Sequence, residues 1–112
     1  MTHPATELDD TIHQRVRLGI LALLLESRRA DFSYLRDALE LTDGNLSQHL
    51  RVLEEGGYVQ LAKAFEGKKP RTWVSATAAG RTALASEVET LRTLVKSVDR
   101  ARKRGNGASA GA

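Results

Sequence analysis

The side chains best suited to specific chemistry lie in one short run, Thr42 to Glu55. Asn45 and Gln48 carry amides that offer a donor and an acceptor side by side, which is the pair adenine presents in the major groove of duplex DNA. Arg51 carries a planar fork of donors that fits guanine or grips a phosphate. Thr42 and Ser47 place hydroxyls beside the free amides of a helix start, a setting that favours phosphate oxygens. Gly44, lacking a side chain, lets the backbone come close to a base edge or a phosphate. A second group follows within nine residues: Lys63, Lys68, Lys69 and Arg71, against one acid, Glu66. Cations at that density suit a polyanion. Each group also has an ordinary reading, a solvated helix face in one case and a solubilising turn in the other. Their order along the chain is what joins them.

Other chemistries find little support. The chain has no cysteine, which removes disulfides and thiolate ligands or nucleophiles. His3, His13 and His49 do not cluster, and no Gly-rich phosphate loop or nucleophile–base pair stands at recognisable spacing. No catalytic residue, metal site or cofactor is expected. The 112 residues make one domain. No apolar run approaches the roughly 18 residues of a membrane span. The polar, acidic first ten residues lack the apolar core of a secretory signal, so a cytoplasmic place is expected. Charge is divided unevenly. Residues 1–57 hold 6 basic and 10 acidic side chains, and residues 58–112 hold 11 and 4. A polyanion is drawn to the second half.

The elements that position these groups follow from periodicity. Apolar residues at three- and four-residue steps predict a first helix from about Asp9 to Ser27, with His13 on it. A short second helix is expected at about Tyr34–Glu40, capped by Ser33, after a bridge strand at Asp31–Phe32. A third helix is expected from Asp43 to Glu55, capped by Thr42 and stopped by Gly56-Gly57. Only Leu41 and Thr42 separate the last two, a helix-turn-helix pattern. On the third helix Leu46, Leu50 and Leu53 face inward, so Gly44, Gln48 and Arg51 face outward. The period then becomes extended. Tyr58–Phe65 and Arg71–Ala76 read as the strands of a hairpin whose tip is Glu66–Pro70. Thr77 caps a last helix running to about Arg100. Leu84, Val88, Leu91, Val95 and Val98 repeat along it at steps of 4, 3, 4 and 3, and Leu94 widens the seam. With Ile12 and Val16 of the first helix, this seam is the expected dimer interface. Residues 1–8 are expected to be flexible and 101–112 to form a disordered basic tail. The domain between them, 9–100, is mainly α with a small hairpin, and its dimerisation helix covers about 78–100.

Residues from about Ile12 to Leu94 resemble the winged-helix DNA-binding regulators of the MarR and ArsR type, above all the small stand-alone winged-helix proteins of bacteria and archaea. The carrying segments are FSYLRDALELTDGNLSQHLRVLEEGGYV, the hairpin KAFEGKKPRTWV and the ATAAGRTAL that opens the last helix. The resemblance implies a homodimer on double-stranded DNA, a pseudo-palindromic operator and usually repression. By the same resemblance Thr42, Asn45, Ser47, Gln48 and Arg51 touch DNA. Metal-sensing members carry a Cys-containing box or His/Asp ligands on the last helix. This chain has no Cys, and its last helix has no His. Ala78 stands where the family often has Pro. A small-molecule effector would find room only between the last helices and the DNA-binding lobes, and no residue pattern marks such a pocket. The alternative is a winged-helix docking module for proteins that does not bind DNA.

Overall fold

A computed structural model describes residues 2–111, and their side chains as far as residue 105. A 3-10 turn, Pro4–Glu7, precedes α1, Arg15–Glu26. Then come β1, Ala30–Asp31; α2, Phe32–Ala38; α3, Asp43–Glu55; β2, Val59–Glu66; β3, Lys69–Ala76; and α4, Ala78–Gly111. The three strands form one antiparallel sheet in the order β1-β3-β2. The core lies where α1, α2 and α3 meet that sheet. It is built from Ile20, Leu21 and Leu24 of α1, Leu35 of α2, Leu46, Leu50 and Leu53 of α3, and Val59 and Val74 of the hairpin.

Local capping sets most boundaries. The Thr42 hydroxyl accepts from the Asn45 amide at 3.1 Å and opens α3. At the other end Gly57 takes a left-handed φ of 80°. Tyr58 N–H then donates to the Leu53 carbonyl and Gly57 N–H to that of Glu54, which closes α3 in a Schellman motif. Helix α1 starts six residues later than its apolar period suggests. The Asp9 carboxylate accepts from Thr11 N–H at 2.8 Å and folds residues 9–13 into a turn. Gln14 then caps α1 by accepting from the Val16 and Arg17 amides. His13 therefore lies in the turn, outside the helix. Helix α2 starts two residues earlier than expected, because Asp31, not Ser33, is its cap. The bridge strand correspondingly falls on Ala30–Asp31.

Regular structure extends past both bounds of the expected domain. The 3-10 turn packs on α4, and Asp9 N–H donates to both oxygens of Glu87, a carboxylate otherwise closed off from water. Helix α4 runs on to Gly111, through residues expected to form a tail. Ala101, Arg102, Lys103 and Arg104 are good helix formers with no proline among them. The expected dimer seam is also divided. Ile12 at 0% exposure, Val16 at 4% and Leu84 at 5% lie inside the protomer's own core, and Val88 packs against it. Those positions are filled by this chain. The stripe opens outward beyond them, where Val95 is 56% and Val98 49% exposed and Leu91 and Leu94 are half-buried.

Two contacts tie the elements together and can be tested. The first turn of α4 lies on the start of β2. Thr77 N–H donates to the Tyr58 carbonyl, and a Cβ built on Gly80 would collide with that same carbonyl oxygen. Gly80→Ala should therefore lower stability by roughly 1–3 kcal/mol in urea unfolding, the cost of overpacking, although alanine is the better helix former. The second contact joins α1 to α3: an Arg17 guanidinium nitrogen lies 3.2 Å from His49 Nδ1. Burial holds the His49 pKa below the ordinary imidazole value, and the Arg17 and Arg15 charges lower it further. The unfolded chain thus binds the His49 proton first as pH falls. This contribution to stability is complete above about pH 6.5 and is lost on acidification until the folded imidazole also protonates. The unfolding midpoint should drop as pH falls below about 6.5, and His49→Gln should flatten that drop.

Candidate nucleic-acid interface

Helix α3 is held by one side only. Leu46, Leu50 and Leu53 are buried, whereas Thr42, Gly44, Asn45, Ser47, Gln48 and Arg51 are exposed. Nothing lies within 4 Å of where a Gly44 Cβ would sit. The helix start is also electrostatically prepared. Arg36 of α2 contacts the Asp43 carboxylate at 2.9 Å and that of Asp37 at the same distance. Asp43 would otherwise set a negative charge beside an approaching phosphate. Its ion pair offsets that charge and clamps α2 to the first turn of α3.

The hairpin stands beside this helix. Its register pairs Leu61 with Val74, Lys63 with Thr72, and Phe65 with Pro70. Directly opposed residues share a face of the sheet, and here that face looks toward α3. Ser47, Arg51 and Glu54 of α3 and Lys63 and Thr72 of the hairpin line one cleft of about 270 Å³. The Arg51 guanidinium and the nearest wing cation therefore border the same space. Lys68 follows Gly67 in the turn, where φ is 64°, and Lys69 opens β3. All three lysines are exposed.

Arg71 departs from the expected basic wing. Counting in twos from Lys63 and Thr72 puts it on the other face. There its guanidinium meets Asp31 at 3.2 Å and Glu66 at 3.4 Å, and stands over the Trp73 ring. Two carboxylates offset its charge, so it fastens β1 to the wing instead of adding to the cationic surface. Arg29 lies over the same ring, 3.8 Å from its centre. The sequence reading gave Arg29 no part, since the pair is brought together only by β1 joining β3. It also passed over Phe65, although the alternation that exposes Lys63 exposes Phe65 as well.

Among the described residues no group of three or more His, Asp or Glu side chains stands together as a metal site, and no helix is long and apolar enough to cross a membrane. The arrangement offers hydrogen-bonding side chains on one helix, cations on the adjoining hairpin, and a space between them.

Known proteins are similar to this chain in sequence and in fold. The chain is 38% identical over 84 residues to an uncharacterized protein of Methanocaldococcus jannaschii, a match covering 75% of this chain and 91% of that one. A transcriptional regulator homologue protein from Pyrococcus horikoshii OT3 superposes with a TM-score of 0.75 at 37% identity, over 80% of this chain and 88% of the other. A protein assigned to the MarR family, from Enterococcus faecalis V583, superposes at 0.65 with 24% identity, over 84% of each chain, which is a likeness of fold. The model of the winged helix DNA-binding domain matches residues 16–95, from the first full turn of α1 to the middle of α4 and so across the whole helix-and-wing surface. With that span the chain belongs to the winged helix DNA-binding domain family.

Proposed function

We propose that this protein is a transcriptional regulator that binds double-stranded DNA sequence-specifically as a homodimer and represses by occupying its operator. The observation that carries this reading is the outward face of α3. Asn45, Gln48 and Arg51 are exposed, and none takes part in an ion pair among the described residues. Arg51 borders the cleft that Lys63 lines from the wing. Side chains of this kind on a helix anchored from behind suit base edges in the major groove. Thr42, Ser47 and the free amides of the helix start take phosphates, and Gly44 lets the backbone approach. Lys63, Lys68 and Lys69 hold the backbone beside the adjacent minor groove.

The dimer rests on the part of α4 that its own domain leaves uncovered. Leu91, Leu94, Val95 and Val98 continue the apolar stripe past the core. Pairing two such stripes removes them from water and sets two copies of α3 about a two-fold axis. A two-fold protein reads a pseudo-palindromic site. The protein is taken to act in the cytoplasm.

Arg51→Ala should cost roughly 1–3 kcal/mol in binding and change base preference at one position of each half-site. Lys68→Ala and Lys69→Ala should weaken all duplexes alike and reduce the salt slope by about one each. Fluorescence anisotropy over a salt series, on duplexes that the protein selects from a randomised pool, measures both. An unchanged base preference in the Arg51 variant would contradict the readout face. If the protein has no affinity for any duplex at moderate salt, it is a protein-docking module instead. Leu91→Glu with Val95→Glu should yield a monomer by sedimentation, and a variant that remained dimeric would remove α4 as the interface.

A further inference from the structure

Phe65 is 74% exposed, the most exposed large apolar side chain among the described residues. The fold gains little from it. Burying an aromatic ring is among the larger stabilising contributions a side chain can make, and here it is forgone. Its surroundings are distinctive. Phe65 sits directly across from Pro70, at the last pair but one of the hairpin before its turn. Pro70 is exposed as well. Two residues back on the same face is Lys63, which lines the cleft with Ser47 and Arg51. Lys68 and Lys69 lie in and beside the turn. One face of the wing therefore runs from buried Val74 and half-exposed Leu61 at its base, through a lysine level with the reading helix, to an apolar pair at a cationic tip.

We infer that Phe65, backed by Pro70, is a minor-groove wedge: the lysines hold the phosphates while the ring enters between two base pairs and partly unstacks them. This deepens the DNA-binding reading and depends on it. A cationic frame without the ring would neutralise backbone and read nothing, and an apolar tip without the cations would not be drawn to DNA. Unstacking is cheapest at pyrimidine–purine steps, so Phe65 adds specificity at the outer flanks of the site, beyond the reach of α3. The direction of the kink follows too, since wedges inserted from the minor groove bend the duplex toward the major groove.

The test uses duplexes selected by the full-length protein from a randomised pool, remade with the fluorescent base 2-aminopurine at successive flanking positions. Wild-type protein should raise emission at one flanking step on each side, and the selected flanks should be enriched in TA or CA/TG steps. Phe65→Ala should lose that emission and that enrichment, keep the central motif, and bind on the order of tenfold more weakly. Phe65→Leu should retain most of the signal, because leucine also wedges. Phe65 is exposed, so an unchanged unfolding midpoint in both variants checks that the fold is intact. Equal affinity and flank preference in Phe65→Ala would overturn the wedge and leave the DNA-binding reading standing. So would wild-type binding with no emission change at any flank. A change in sedimentation of Phe65→Ala without DNA would assign the ring to a protein contact and overturn the wedge as well. Failure of the wild type to select any duplex would sink the function itself.

Discussion

One residue, Tyr58, joins α3, the start of β2, the first turn of α4 and the turn at Asp9. Its N–H donates to Leu53 and finishes α3, and its carbonyl accepts from Thr77 and receives the first turn of α4. Its hydroxyl donates to an oxygen of Asp9 at 3.3 Å. Burial first, and the Asp9 charge after it, raises the pKa of that phenol, so it keeps the proton it donates. Asp9 in turn donates its N–H to Glu87 on α4. The Thr77 hydroxyl closes the junction by donating to Gly57 and accepting from Gly80. The angle at which the wing leaves α3 and the direction in which α4 departs are thus fixed within a few residues of each other. A shift at this junction would move the wing lysines relative to Gln48 and Arg51 together with the exposed end of α4.

Helix α4 has two jobs along one stripe. Its first turns bury Leu84 and Val88 against the domain. The same periodicity then continues where there is no domain left to cover it. At 34 residues the helix is about 50 Å long, and the longest dimension of the molecule is 71 Å against 27 and 22 Å across. An apolar stripe on a projecting helix is stable in water only if something covers it. A second copy of the same stripe is the covering that symmetry supplies most simply.

What could be read in the sequence was what is decided locally. The bounds of α3 follow from Thr42 at one end and Gly56-Gly57 at the other, and both signals act within four residues. The inward leucines and outward polar face follow from the helical period alone. The strand ends were off by a few residues at most, because the turn at Gly67 is also local. What was misjudged required a distant partner or a contest between caps. Asp9 and Gln14 both compete to begin α1, and the apolar period cannot say which prevails. Ile12, Val16 and Leu84 look like a free seam until α1 is known to pack on α4. Arg71 counts as one more wing cation until β1 brings Asp31 beside it.

The ion pairs decide which charges remain for a partner. Two charges near this surface are matched within the chain: Asp43 by Arg36, and Arg71 by Asp31 and Glu66. Arg51, Lys63, Lys68 and Lys69 enter none of the ion pairs among the described residues. Matched pairs on an exposed surface join elements at little net gain in stability, so their larger effect is on the charge that remains. Arg51, Lys63, Lys68 and Lys69 thus keep their charge on α3 and the wing, with Glu54 the acid that lines the cleft beside them. A chain with a net charge of only +3 can in this way still leave unpaired cations on that face.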